Sequence, residues 1–122
     1  MLSPRHLLFI VAVALGCTPP DPVTLRVVSY NIRHGRGMDG EVNLERTAAV
    51  LRQLTPDIVA LQEVDNRVTR SGGEDQAAVL GGLLGMEHAF GSFMDYQGGQ
   101  YGMAILSRHP IVRVDPVRLP EG

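Results

Sequence analysis

The chain has 122 residues, with 11 basic and 13 acidic side chains and a formal net charge of −2. Every basic residue is an arginine, and the slightly acidic balance argues against the broad cationic stripe of most nucleic-acid-binding domains. Cys17 stands alone among the residues and leaves no room for an internal disulfide.

The first segment reads as a targeting signal. Met1–His6 carries Arg5 and His6, Leu7–Leu15 is an unbroken apolar run, and Gly16 precedes Cys17. Charge, apolar stretch and small residue in that order make a secretory signal peptide over residues 1–16. The run is shorter than the ~20 residues that a membrane-spanning helix needs. Ala14-Leu15-Gly16-Cys17 resembles a bacterial lipobox, in which the cysteine thiol is acylated and becomes the mature N-terminus. Cys17 is therefore the expected lipidation site, residues 17–23 a proline-rich tether, and the product an exported, bacterial membrane-anchored lipoprotein. Ordinary cleavage near the same place, giving a secreted protein, is the alternative.

Residues 24–122 carry the domain. Leu25–Ile32 is rich in β-branched residues and predicts a first strand, followed by a loop with Gly35, Gly37 and Gly40. Asn43 predicts a helix cap, and Leu44, Thr47, Ala48, Leu51 and Leu54 recur at helical spacing up to Pro56. Asp57–Val64 predicts a buried strand that delivers Glu63 at its C-terminal end. After a polar loop, Asp75 predicts the cap of a second helix running to Leu84, with Gly85 ending it. Strands are predicted near 87–94, 101–107 and 111–118. The order strand, helix, strand, helix, strands is that of an α/β domain.

A helical crossover makes the first two strands parallel, so Asn31 and Glu63 emerge at one sheet edge, where open α/β sheets hold ligands. A carboxylate and an amide oxygen are hard donors that suit Mg²⁺. Spacing alone leaves a second reading open, with Asn31 bonding its own loop and Glu63 in solvent.

Ser29-Tyr30-Asn31-Ile32, then Leu61-Gln62-Glu63-Val64, then Gly102-Met103-Ala104-Ile105-Leu106-Ser107-Arg108 resemble three successive motifs of the endonuclease/exonuclease/phosphatase superfamily. The resemblance runs from about Leu25 to Pro120. It implies a four-layer α/β/β/α sandwich, of which this chain holds the N-terminal half: one mixed sheet with helices on its outer face. It implies Mg²⁺- or Mn²⁺-dependent cleavage of a phosphoester, with Glu63 and Asn31 as catalytic, metal-binding residues and Arg33 binding substrate phosphate. Asp65 stands where the superfamily's pancreatic deoxyribonuclease has an arginine that reaches DNA, and would repel a duplex. His34, His88 and His109 match no catalytic histidine motif, and His109 before Pro110 reads as a turn residue. Gln100 and Tyr101 stand near a position where relatives hold a carboxylate, so that role is unassigned.

These readings make the full-length protein an exported phosphoester hydrolase acting on a lipid head group, an inositol phosphate or nucleic acid. An extracellular nuclease is one alternative. A catalytically inactive surface lipoprotein that uses the scaffold for binding is another. The superfamily's remaining motifs lie in its second half, so the chain is expected to be inactive alone.

Overall fold

The computed structural model describes residues 19–118 and 120. The signal-peptide segment and Cys17 lie outside the described residues.

Four strands form one mixed sheet in the order β1-β2-β4-β3. β1 (Val27–Asn31) pairs in parallel with β2 (Ile58–Asn66), and α1 (Leu44–Leu54) makes the crossover between them. β2 is antiparallel to β4 (Gly99–Ser107), which closes a hairpin with β3 (Glu87–Tyr96). α2 (Gln76–Leu84) lies between β2 and β3 in sequence.

Each helix begins and ends for a local reason. The Asn43 side chain accepts the Arg46 N–H at the start of α1, and Asp75 accepts the Ala78 N–H at the start of α2. α1 stops at Thr55 in the left-handed region just before Pro56, and α2 stops at left-handed Gly85. One stripe of α1 (Leu44, Ala48, Leu51) and one of α2 (Ala77, Leu80) meet Val59, Leu61 and Val64 of β2 and Ala104 and Leu106 of β4 in a single core. Both helices therefore cover the same face of the sheet. Fully burying leucines such as Leu51, Leu61, Leu80 and Leu106 contributes about 2 kcal/mol each. The alternate residues of β4, Met103 and Ile105, stay exposed on the opposite face.

The helices match the sequence reading residue for residue, and the strands differ at their ends. β3 and β4 each run further than predicted, because the connection needs only Gln97 and Gly98, both at positive φ (43° and 81°). That pair matches the turn that fits a twisted two-residue hairpin. The strand predicted at 111–118 does not form: those residues have no regular secondary structure, and Val112 and Val117 are largely exposed. Alternation records which way side chains point, whereas a strand also needs a partner. After Arg108 the chain leaves the sheet, held by the Ile111 N–H donating to Glu87, and Pro116 removes a donor from the run.

Candidate active site

The carboxyl ends of β1 and β2 lie side by side, with Asn31 in register with Gln62. Between Leu61 and Val64 the pairing of β2 with β4 slips: Leu61 faces Ala104 and Val64 faces Gly102, so Gln62 and Glu63 together oppose Met103. This is a β-bulge, and Glu63 takes the left-handed conformation in it, φ 55°. Gly102 sits opposite because a Cβ there would lie 2.0 Å from the Gly91 carbonyl oxygen.

The bulge turns Glu63 toward Asn31, whose Nδ2 donates to Glu63 Oε1 at 2.8 Å. Asn31 Oδ1 accepts the Arg33 N–H at 3.0 Å. Only one orientation of the amide serves both bonds, since Oδ1 must face an N–H and Nδ2 a carboxylate. Asn31 thus bonds its own loop and at the same time holds Glu63. Among the described residues the hydrogen bonds to Glu63 engage Oε1, leaving Oε2 open.

The loop after Asn31 is a short 3₁₀ turn, Arg33–Gly35, in which Arg33 and His34 both have φ 46°. Arg33 is exposed, and among the described residues no hydrogen bond or ion pair holds its guanidinium. His34 is half-buried, and among the described residues its Nδ1 has no hydrogen-bond partner. Its burial and the nearby Arg70 and Arg36 charges lower its pKa, opposed by Asp65 and Glu63. Those surroundings disfavour the charged imidazolium of His34. His88 lies on β3 beside Gly81 of α2, and His109 lies in the bend after β4, both away from the Asn31–Glu63 pair.

Asp65 corrects the sequence reading. It is fully buried, not turned outward toward a ligand. Arg70 grips it with two bonds, Nε to Oδ2 at 2.9 Å and Nη2 to Oδ1 at 2.8 Å, and Ser71 Oγ adds a third at 2.8 Å. Burial pushes the Asp65 carboxyl up, but these bonds outweigh it and hold the group below its ordinary value. Arg70 also lies over the Tyr96 ring at 4.6 Å and the Tyr101 ring at 5.5 Å. Tyr101 is pushed up by its burial and by the Glu63 charge, which places the phenol in the field of the same carboxylate. Gln100 pairs with Asn66 at the far end of the β2–β4 ladder and lines a cleft beside the hairpin turn.

Sequence reasoning missed Arg70, Ser71 and the fully buried Gln76. Polar residues between glycines read as a solvated loop. The one usable signal was apolar spacing in β2: Val59 to Leu61 is two residues, Leu61 to Val64 three, the phase shift of a bulge.

A mixed sheet covered by helices on one face, with an amide–carboxylate pair at the edge of its parallel strands, defines an α/β domain with a polar site at that edge. The Endonuclease/Exonuclease/phosphatase family profile matches residues 28–122, and the chain belongs to that family. The chain is similar to an endonuclease/exonuclease/phosphatase from Beutenbergia cavernae DSM 12333, at 30% identity and TM-score 0.57 over 74% of this chain and 27% of that one. An endonuclease/exonuclease/phosphatase family protein from Leptotrichia buccalis C-1013-b shares the fold at 17% identity and TM-score 0.54, over 74% of this chain and 40% of that one. The chain thus spans well under half the length of either structure.

Proposed function

We propose that the full-length protein is an exported phosphoester hydrolase that depends on a divalent metal, with Glu63 as its metal-binding carboxylate. The observation that carries this reading is the Asn31–Glu63 bond at the strand edge, with Glu63 in a left-handed bulge. A non-glycine residue held in that conformation is strained, and such strain concentrates at functional sites.

The donors fit Mg²⁺ or Mn²⁺. Among the described residues no group of three or more His, Cys, Asp or Glu side chains forms a protein cage. Mg²⁺ needs no such cage, since it takes one or two carboxylates and fills its remaining positions with water and substrate phosphate. Glu63 supplies Oε2, and Asn31 stands beside it as the second oxygen donor, with one Oδ1 lone pair left beyond the bond from Arg33. When bound, the metal supplies neutralisation of the charge that develops on the phosphate oxygens. Arg33, exposed and unpaired among the described residues, supplies a planar donor set matched to phosphate. His88 and His109 lie away from the edge and His34 matches no catalytic histidine motif, so the water-activating base is left to the superfamily's C-terminal histidine motif.

The substrate we favour is a phospholipid head group, in keeping with the acidic balance and with a lipid on Cys17 that holds the enzyme at a membrane. An extracellular nuclease is the second reading, because inward-turned Asp65 presents no charge against a duplex.

The test uses the full-length protein on a generic phosphodiester with Mg²⁺ or Mn²⁺. Glu63→Ala is expected to lower turnover by several orders of magnitude, and Glu63→Gln nearly as much, because it keeps the shape but loses the charge. EDTA should abolish activity and Mg²⁺ restore it. Near-normal turnover in either variant refutes the assignment. Phosphatidylcholine vesicles, an inositol phosphate and plasmid DNA, assayed in parallel, separate the substrate classes.

A further inference from the structure

Gln76, the first residue of α2, has no exposed surface. Both ends of its amide are used. Oε1 accepts the Asp65 N–H at 3.0 Å, and Nε2 donates to the His34 carbonyl at 2.8 Å. Those partners are 31 residues apart in the chain, and they lie on the two segments that build the site. Asp65 follows the Glu63 bulge by two residues, and His34 is the middle residue of the 3₁₀ turn that follows Asn31.

Both segments contain non-glycine residues at positive φ: Glu63 at 55° on one side, Arg33 and His34 at 46° on the other. Such conformations persist only where their surroundings over-determine them. The Asn31–Glu63 bond is one link between the segments, and it lies at an exposed edge. A second is the backbone bond from the buried Ile32 N–H to the Gln62 carbonyl at 3.1 Å, and Gln76 adds a buried side-chain link. α2 itself is anchored at the same point, by the Asp75 cap, the Asn66–Asp75 bridge and the Arg67 N–H to the Glu74 carbonyl at 2.8 Å.

From this geometry we infer that Gln76 is a positioning residue of the site, a buried amide strut that braces His34 of the Asn31 loop against Asp65 beyond the Glu63 bulge. The assignment rests on the proposed metal role of Glu63 only for its catalytic consequence. The strut itself is a structural claim. Groups that orient metal-site ligands change metal affinity or activity by about 10–100-fold when removed. The same range is expected for Gln76.

The experiment compares three variants of the full-length protein. Gln76→Met keeps the volume and loses both bonds. Gln76→Asn keeps the amide but is one methylene too short to reach both partners. Leu80→Ala, in the same helix and equally buried, serves as a destabilised control that leaves the strut intact. The first readout is backbone amide exchange, which needs no activity. In Gln76→Met and Gln76→Asn, protection should fall at Asp65 and across 33–36, while the Ala48–Leu51 amides of α1 keep theirs. Leu80→Ala should lower protection broadly, with no preference for those segments. The second readout is the Mg²⁺ concentration for half-maximal activity, which should rise about 10-fold or more in the two Gln76 variants and less than about 2-fold in Leu80→Ala. Exchange in the Gln76 variants that matches the Leu80→Ala pattern overturns the strut. If wild-type protein shows no phosphoester cleavage, the functional reading fails, and the exchange data still decide the strut.

Discussion

At the scale of single residues, the strand edge holds its polar pair at a backbone cost. Glu63 at φ 55° adopts a conformation that costs an L-residue roughly 1–2 kcal/mol and glycine almost nothing. Glycine brings its own entropic penalty of about 0.5–1 kcal/mol, so Glu63→Gly is expected to stabilise the folded protein by up to about 1 kcal/mol. The expected outcome is a melting temperature equal to or a few degrees above wild type, together with loss of the phosphoester cleavage proposed for the full-length protein. A variant that melts well below wild type would show that the Asn31–Glu63 bond stabilises the edge more than the bulge strains it.

The loop before α1 shows the same economy at the scale of an element. Arg46 Nη1 donates to Asp39 Oδ2 at 2.7 Å, Arg46 Nη2 donates to the Glu41 carbonyl at 3.0 Å, and the Glu41 N–H donates to Asp39 Oδ1 at 3.0 Å. The Arg46 bonds, then the Glu41 N–H, hold the Asp39 carboxyl at about 2. A depressed carboxylate contributes its tether fully above its unfolded pKa of about 3.9, and the tether is lost as pH falls toward the folded value. Between pH 4 and pH 2 the 37–41 loop should therefore open while α1 persists, seen as faster amide exchange at Glu41 and Gly40 than at Leu51. Asp39→Asn should produce the open loop already at pH 7.

Much at this scale is legible in the sequence. Asn43, Asp75 and Gly85 announce the helix ends because capping is a local interaction between a side chain and its own next turn. The strand ends and the absent strand at 111–118 are not legible, because pairing is decided by residues far along the chain. The site divides the same way. Asn31 and Glu63 sit in short motifs on readable strands, whereas the Asp65–Arg70–Ser71 cluster and Gln76 are polar residues whose burial only the packed α2 creates.

At the scale of the whole molecule, the sheet is covered on one face. Met103 and Ile105 of β4 and Val27 of β1 are exposed, as is Phe93 of β3. At ~25 cal/mol per Å², a few hundred Å² of such surface forgoes several kcal/mol of burial, a large share of a small domain's stability. Residues 17–122 expressed alone are therefore expected to bind hydrophobic dye and to associate at micromolar concentration, as light scattering would report. Met103→Lys with Ile105→Thr should shift the same segment toward monomer. A monomeric, cooperatively melting wild-type segment would contradict this account of the face. A separate whole-protein prediction concerns the membrane. Labelled palmitate should enter the full-length protein in a bacterial host, and Cys17→Ala should abolish both labelling and membrane retention.

The bulge in β2 is a matter of counting, and it places the site within one codon of loss. Deleting Gln62 would let β2 run against β4 without interruption, keep Val64 on the helix side, and leave Glu63 opposite Met103 in ordinary extended backbone. Such a chain is expected to fold at least as well as its parent. Its carboxylate, no longer bent toward Asn31, would stand out from the exposed face of the sheet beside Met103. A screen for thermal resistance would keep this deletion, and a screen for turnover would discard it.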